Sequence, residues 1–123
     1  MVQVRTRLKI IDNSGAREAM CIRILGGAHV GYVGNTIVVS VKRVLPNRRI
    51  KKGEVHRAIL TTTVRKRRRR DGSYVQFSEN SAILVDLKGA LLGTRILSPV
   101  SSELSSFLNG PHKKILALAP AVL

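Results

Sequence analysis

The sequence is poor in the residues from which disulfides, metal clusters and stacking surfaces are built. Cys21 is the single cysteine among 123 residues, so no intrachain disulfide can form and a multi-cysteine metal site is excluded. Tryptophan is absent and aromatic residues make up 3% of the chain, which argues against a platform of exposed rings for single-stranded nucleic acid. No apolar run approaches the roughly 18 residues that a membrane-spanning helix requires.

Acidic residues are also scarce, and this imbalance is the strongest compositional signal. Seven Asp and Glu stand against 22 Lys and Arg, which gives a formal net charge of +15 and a pI near 11.5. A small folded domain this basic most often binds nucleic acid, and an anionic membrane surface is the alternative. Because 44% of the residues are hydrophobic, the chain can still bury a core. The few aromatics favour phosphate contacts and shape recognition of folded RNA or duplex.

The basic residues are concentrated in the middle of the chain. Thirteen of the Lys and Arg lie within residues 42–70, where only Glu54 opposes them. Segments 48–52 and 65–70 carry most of this charge, and arginine dominates, which suits bidentate recognition of phosphate. The alternative for any one of these side chains is a solvated charge. The predicted RNA-binding residues are Arg17, Arg23, Lys42, Arg43, Arg48, Arg49, Lys51, Lys52, Arg65, Lys66, Arg67, Arg68, Arg69 and Arg70.

Turn signals divide the chain into short strands. The basic segment 65–70 ends in Asp71-Gly72 and lies between two strand-like runs, so a protruding β-ribbon with a basic tip is predicted. The predicted strands are Val4 to Ile11, Ala19 to Leu25, Thr36 to Val44, Val55 to Val64, Ser73 to Phe77, Ala82 to Leu87 and Thr94 to Leu97. Short antiparallel strands at this spacing predict a mainly β protein with a small five-stranded barrel.

The pattern within the strands predicts which side chains face the interior. Alternation places Leu8 and Ile10 inward and the basic residues beside them outward. In the next strand Met20, Ile22 and Ile24 are predicted to point inward. The third strand is apolar almost throughout, which predicts a strand buried on both faces.

The last quarter of the chain changes from strand to helix signals. A serine pair followed by Glu103 can begin a helix, and residues 113–119 predict a second short helical turn. One predicted helical face is formed by Leu104, Phe107 and Leu108. The chain is therefore predicted to be one domain over residues 1–123, with the barrel and ribbon in 1–98 and a helical segment in 99–123.

Catalytic and metal-binding patterns are weak. His29, His56 and His112 are far apart, and the carboxylates are scattered beside turns or basic residues. Cys21 lies in the middle of a predicted strand, where a packed and inert thiol is expected. The glycines after the second strand are not followed by Gly-Lys-Ser/Thr, so they indicate turns. No enzyme, cofactor or metal is predicted.

Separated motifs along the whole chain carry a resemblance to a known family. In order they are Asp12-Asn13-Ser14-Gly15-Ala16, Met20-Cys21-Ile22, Pro46, Lys51-Lys52-Gly53, Asp71-Gly72, Phe77, Asn80, Leu84, Gly93-Thr94-Arg95-Ile96, Pro99-Val100, Glu103-Leu104, Lys114-Ile115, Leu118-Ala119-Pro120 and Val122-Leu123. Their order and spacing resemble the universal large-subunit ribosomal protein L-fourteen family. The departures are serines flanking Glu103-Leu104, Asn35 where the family usually has Asp, a short segment before Gly93 and a longer one from Ser105 to His112.

The resemblance implies a fold, a place and partners. It implies a five-stranded β-barrel with a protruding ribbon and a C-terminal helical part, seated on large-subunit rRNA as a structural constituent. It also implies neighbouring ribosomal proteins and a face at the subunit interface, where the family contacts small-subunit rRNA and a ribosome-silencing factor docks. The matching residues for that face are Thr94, Arg95, Lys113 and Lys114.

Two other functional hypotheses remain open from the residues alone. One is a small basic nucleic-acid-binding module outside the ribosome, of a transcriptional or chaperone-like kind, and the other is a metabolic enzyme. The start of the chain, Met1 to Arg5, is strand-like and does not resemble a targeting segment. We therefore expect either that the chain works where it is made or that a targeting segment is missing from this sequence. Basicity and the departures from the family pattern favour a mitochondrial ribosome, with a plastid or bacterial ribosome as the alternatives.

Overall fold

A closed barrel of five strands is the centre of the fold, and the computed structural model describes it within residues 1–106 and 112–123. The elements in chain order are β1 (Arg7–Ile10), β2 (Ala16–Ile24), β3 (Thr36–Val44), β4 (Val55–Thr62), β5 (Arg67–Arg68), β6 (Tyr74–Val75), β7 (Ser81–Val85), a 3-10 helix (Ser102–Ser106) and α1 (His112–Leu118). The predicted five-stranded barrel with a short C-terminal helix is confirmed.

The barrel closes through a parallel pair of strands. The strand order is β1-β2-β3-β4-β7, with β7 hydrogen-bonded to both β4 and β1. Four of these pairs are antiparallel, whereas β1 and β7 run parallel, with Lys9 opposite Ser81 and Ile10 opposite Ala82. An odd number of strands cannot alternate in direction all the way around a closed barrel, so one parallel pair is unavoidable.

Alternate residues of β3 fill the barrel interior. Ile37, Val39 and Val41 are fully buried, while Val38 and Ser40 between them are half-buried on the outer face. The bounds predicted for this strand are confirmed, but the prediction that it is buried on both faces is wrong. Its outer face is left partly exposed because the C-terminal segment covers other strands.

A bulge in β2 changes which of its side chains point inward. Cys21 and Ile24 are buried, whereas Met20 is half-buried and Ile22 is 42% exposed. The pairing with β3 shifts register between Cys21 and Arg23, and the extra residue reverses the alternation beyond that point. The prediction of inward side chains is therefore right for Ile24 and wrong for Met20 and Ile22. The packed thiol is confirmed, and burial raises the pKa of Cys21.

β7 is buried on both faces along its whole length. Its inward side chains belong to the barrel core, while its outward ones join a second cluster beneath the C-terminal segment. That second cluster consists of Ile11, Val33, Ile59, Ile83, Val85, Ile96, Val100, Leu104 and Ile115. The Ser101 amide donates to the Thr61 carbonyl at 3.1 Å, which ties the segment to β4.

The chain ends differ most from the predicted bounds. β1 begins at Arg7 because Arg5 lies in a turn with a φ of 75°, and the first residues contribute only a bridge between Val2 and Gly31. The predicted strand at residues 94–97 is reduced to one bridge, between Asp12 and Ile96. The helical turn predicted over residues 113–119 is confirmed by α1. Phe107 and Leu108, predicted to share a face with Leu104, lie outside the described residues.

The helices within residues 1–106 and 112–123 are too short and too polar to cross a membrane.

Candidate nucleic-acid interface

The two basic segments lie at opposite ends of β4. The β3–β4 loop (residues 45–54) precedes this strand, and the basic hairpin (residues 65–76) follows it. Eight residues of extended chain span roughly 25 Å at about 3.3 Å per residue. The two segments therefore cannot bind the same phosphate, and they present two separate basic surfaces.

The β3–β4 loop is fixed to the barrel at both ends and in the middle. The Leu45 amide donates to the Gly15 carbonyl at 2.8 Å, and the Gly53 amide donates to the Val41 carbonyl at 2.8 Å. Ile50 is 8% exposed and belongs to the barrel core. With Ile50 held inside, the basic side chains of the loop are all exposed, and these are Arg48, Arg49, Lys51 and Lys52.

Gly15 lets the loop approach the preceding turn closely. Its φ is +111°, and a Cβ built there would lie 2.5 Å from the Cβ of Arg48. The stem of Arg48 therefore packs directly on the Gly15 backbone, and its position depends on the missing side chain.

The one carboxylate in the basic stretch is directed away from the loop arginines. Glu54 Oε2 lies 2.7 Å from Nε2 of His56. This hydrogen bond is the main reason that the pKa of Glu54 is below its ordinary value. Lys51 also interacts electrostatically with Glu54. The ion pairs within the described residues include no carboxylate partner for Arg48, Arg49 or Lys52.

The basic hairpin is short and projects beyond the barrel. β5 and β6 pair antiparallel over two residue pairs, and the turn between them contains Gly72 with a φ of 88°. Asp71 Oδ1 accepts hydrogen bonds from Ser73 Oγ at 2.6 Å and from the Ser73 amide at 3.0 Å, which hold the pKa of Asp71 below its ordinary value. The predicted ribbon is confirmed. Its exposed cations are Arg65, Lys66, Arg67, Arg68 and Arg70.

Arg69 differs from the other hairpin arginines because it faces the protein. Its Nε donates to Glu103 Oε1 at 3.0 Å, and its Nη2 donates to the backbone oxygen of Leu123. The side chains of Arg69 and Glu103 are 30% and 14% exposed. This contact, here called the Arg69 clamp, ties the hairpin to the C-terminal segment.

A third basic area lies on the outer face of the barrel and contains its own carboxylates. Glu18 Oε1 accepts a hydrogen bond from Arg7 Nη1 at 2.8 Å, and Glu18 Oε2 lies 3.9 Å from Arg43 Nη1. Lys9 Nζ lies 3.6 Å from Glu79 Oε1. These side chains surround a shallow groove of about 400 Å³ together with Leu8, Arg17 and Asn80. The charge of this mixed groove is therefore partly neutralised within the protein.

The remaining predicted cations sit singly on the barrel. Arg23 is exposed on β2 and Lys42 is half-buried on β3. They belong to neither basic segment, so the structure brings together nine exposed cations in two groups and leaves Arg17, Arg23, Lys42 and Arg43 apart from them.

Asn13 holds the segment that contains Thr94 and Arg95. Its Oδ1 accepts hydrogen bonds from the Thr94 amide at 2.7 Å and the Arg95 amide at 3.0 Å, and its Nδ2 donates to Thr94 Oγ1 at 2.9 Å. A Cβ at Gly93 would lie 2.8 Å from Asn13 Oδ1, so the glycine is required for this approach. No local sequence pattern indicates this contact, because Asn13 and Thr94 are 81 residues apart in the chain.

Asp12 is a structural carboxylate beside Asn13. One oxygen accepts hydrogen bonds from the amide and hydroxyl of Ser14 at 3.1 and 2.5 Å, and the other accepts from the Leu84 amide at 3.2 Å. Burial raises the pKa of Asp12. Within the part of the chain that is described, no three His, Cys, Asp or Glu side chains form a group that could hold a metal ion.

Lys113 and Lys114 are exposed on the short helix α1. The neighbouring His112 is buried, and its Nε2 donates to the Gly34 carbonyl at 2.8 Å. Ile115 is buried in the second hydrophobic cluster. The helix is thus held against the barrel by His112 and Ile115, with the two lysines facing outward.

The geometry is that of a small β-barrel which presents basic loops at both ends of one strand. Comparison with known families agrees with this architecture. The family model for ribosomal protein L14p/L23e matches residues 1–123, the whole chain, and the chain therefore belongs to this family of large-subunit ribosomal proteins.

Proposed function

We propose that the protein is a structural, non-catalytic constituent of the large subunit that binds rRNA through the β3–β4 loop and the basic hairpin. The observation that carries this proposal is the group of nine exposed cations at the two ends of β4. Lys and Arg that neutralise phosphates release condensed counterions, which supplies much of the affinity for RNA. The distance of roughly 25 Å between the groups suits two separate stretches of a folded RNA.

We assign the other predicted RNA-binding residues a smaller share of the affinity for rRNA. Arg17 and Arg43 border the mixed groove, where Glu18 already interacts with Arg43. Arg23 and Lys42 stand alone on the barrel wall. Arg69 is engaged by Glu103, so we assign it to holding the hairpin in place.

The exposed face around Thr94, Arg95, Lys113 and Lys114 is proposed to meet the small subunit and its rRNA. All four residues are exposed, and the hydrogen bonds of Asn13 fix the backbone of Thr94 and Arg95 before any partner binds. A ribosome-silencing factor and neighbouring ribosomal proteins are the proposed protein partners. Residues 1–123 are proposed to act as one domain, and the basicity and the departures from the family pattern favour a mitochondrial ribosome over a plastid or bacterial one.

RNA binding by the hairpin is tested by the salt dependence of affinity. Replacing Arg67 and Arg68 with Gln should make the plot of log K against log salt less steep. The magnitude of its slope should fall by about 0.7–0.9 per lost phosphate contact. The matched control replaces Arg7 and Lys9 with Gln, which removes the same charge from the mixed groove. A slope that falls equally in both double variants would show that net charge alone decides binding.

Sedimentation distinguishes the proposed function from the alternative, a nucleic-acid-binding module outside the ribosome. A constituent of the large subunit should remain with large ribosomal particles after a high-salt wash. A protein that is released and found free in solution would support the alternative.

The interface proposal is tested with the triple change Thr94→Ala, Arg95→Ala and Lys114→Ala. We expect the variant to fold and to enter the large subunit, because these side chains are exposed and the Asn13 contacts to the two backbone amides remain. Subunit joining or docking of the silencing factor should weaken. Normal affinity in both assays, or absence of the protein from the large subunit, would contradict the assignment.

A further inference from the structure

We propose that a groove between Tyr32 and the basic hairpin binds one unpaired nucleotide of RNA, with the base stacked on Tyr32 and the adjoining phosphates at the hairpin arginines. This inference rests on the proposed binding of rRNA and names a recognition element within it. The groove is lined by Met1, Tyr32 and Thr63 together with the hairpin residues from Arg65 to Arg68.

The size of the groove limits it to a single nucleotide. Its volume is about 320 Å³, at the lower end of the roughly 300–1,000 Å³ that is usual for small-ligand sites. A continuous platform for several bases would need several exposed rings, and the chain has two tyrosines, two phenylalanines and no tryptophan. The scarcity of aromatics therefore excludes an extended platform but is compatible with one stacking position.

The backbone of Tyr32 is fixed by hydrogen bonds, although 45% of the residue is exposed. Its amide donates to Asn35 Oδ1 at 2.7 Å, and its carbonyl accepts from the Asn35 amide at 3.0 Å. The preceding Gly31 exchanges two backbone hydrogen bonds with Val2, at 2.6 and 2.8 Å. Because the turn is fixed before RNA arrives, stacking on this ring requires little further ordering of the backbone.

The basic residues of the groove supply the charge that a nucleotide requires. Four cationic side chains line the groove, and none of its lining residues is acidic. Arg65 Nη1 lies 2.7 Å from the sulfur of Met1, which also lines the groove. The mixed groove on the barrel wall contains Glu18 and Glu79 instead, so the two grooves differ in the charge that a phosphate would meet.

Tyr74 is less suited to the same task. It is 58% exposed on the hairpin, but the Lys66 ammonium lies 4.6 Å from its ring centroid and occupies one face. A cation over the ring is itself a favourable contact. Tyr32 is therefore the ring that combines a concave setting, a fixed backbone and adjacent arginines, a combination typical of the recognition of unpaired bases in RNA.

The inference is tested with two RNA hairpins that differ only in one bulged adenosine. Tyr32→Leu should weaken binding to the bulged hairpin by about five- to 150-fold, since stacking of a base on an aromatic ring contributes roughly 1–3 kcal/mol. Binding to the fully paired hairpin should be unchanged. Tyr32→Phe is the matched control, because it keeps the ring and should keep the preference for the bulge.

A fluorescent base gives a direct readout of stacking. With 2-aminopurine at the bulge, the parent and Tyr32→Phe should quench its emission, and Tyr32→Leu should not. The inference would be overturned if Tyr32→Leu bound each of the two RNA hairpins as tightly as the parent does and quenched 2-aminopurine to the same extent.

The double change Arg67→Gln and Arg68→Gln separates failure of this inference from failure of the proposed function. If it flattens the salt dependence for both hairpins while Tyr32→Leu changes nothing, RNA binding stands and the nucleotide site is refuted. If neither variant affects binding, both proposals fail.

Discussion

The β3–β4 loop and the basic hairpin carry similar charge but are held in different ways. The loop is fixed by apolar and backbone contacts, since Ile50 is buried in the barrel core and Arg48 packs on Gly15. The hairpin has two residue pairs of its own and is tied to the rest of the protein by the Arg69 clamp and by the contact of Arg65 with Met1. The clamp is polar and partly exposed, whereas Ile50 of the loop is buried.

This difference shows that the density of cations does not indicate how a basic segment is positioned. A basic segment also needs a residue that contacts the rest of the protein and fixes the position of the segment. Each of the two segments has a side chain of this kind. In the loop it is an isoleucine surrounded by arginines and lysines, and in the hairpin it is one arginine among six basic residues. Ionic contacts weaken with salt and apolar ones do not, so the hairpin should be the more adaptable of the two.

The largest loss of stability is expected from a substitution at the point where the β3–β4 loop meets the barrel. Gly15→Val should lower the free energy of unfolding by more than about 1 kcal/mol, because a branched side chain is strained at positive φ and its Cβ would lie 2.5 Å from that of Arg48. Chemical denaturation of the purified protein measures the change.

A matched control isolates the contact with Arg48 from the backbone strain. Gly26 has a φ of +94°, and a Cβ built there has no atom within 4 Å. Gly26→Val should therefore cost only the conformational strain. Equal losses in the two variants would mean that the close packing of the loop on Gly15 does not contribute.

A smaller effect is expected from releasing the hairpin. Glu103→Gln weakens the Arg69 clamp and should lower the affinity for RNA by about two- to tenfold. This range corresponds to the loss of a partly exposed ion pair that contributes up to roughly 1.5 kcal/mol. The loss is expected although the variant gains one unit of positive charge. The slope of affinity against salt should stay unchanged, because no phosphate contact is removed.

Glu79→Gln is the control for charge, since Glu79 pairs with Lys9 on the barrel wall at 3.6 Å. It makes the same change in net charge and should leave affinity unchanged or slightly higher. If Glu103→Gln instead binds RNA more tightly and with a steeper salt slope, Arg69 is a phosphate ligand that Glu103 restrains.

Local sequence patterns located the central strands but not the faces that they bury. β3 begins and ends at the predicted residues, because a β-branched run and Pro46 mark it clearly. The inward set of β2 was missed because the bulge after Cys21 depends on pairing with β3. β7 is buried on both faces through contacts with residues near the C-terminus, which no local pattern contains.

The candidate site was predictable to the same extent. Runs of arginine and lysine identify the two basic segments by composition alone. The separate role of Arg69 could not be predicted, because its partner Glu103 lies 34 residues further along the chain. The hydrogen bonds from Asn13 span 81 and 82 residues, so its task of holding Thr94 and Arg95 becomes visible only in the folded structure.

The position of β7 between β1 and β4 has a consequence for the order of folding during synthesis. The pairs β1–β2, β2–β3 and β3–β4 are neighbours in sequence, so they can form as the chain leaves the translating ribosome. Both edges of that four-stranded sheet stay open until Ser81–Val85 emerges and covers them together. Open edges pair readily with other strands, and the thirteen basic residues of 42–70 are all synthesised before the strand that closes the barrel.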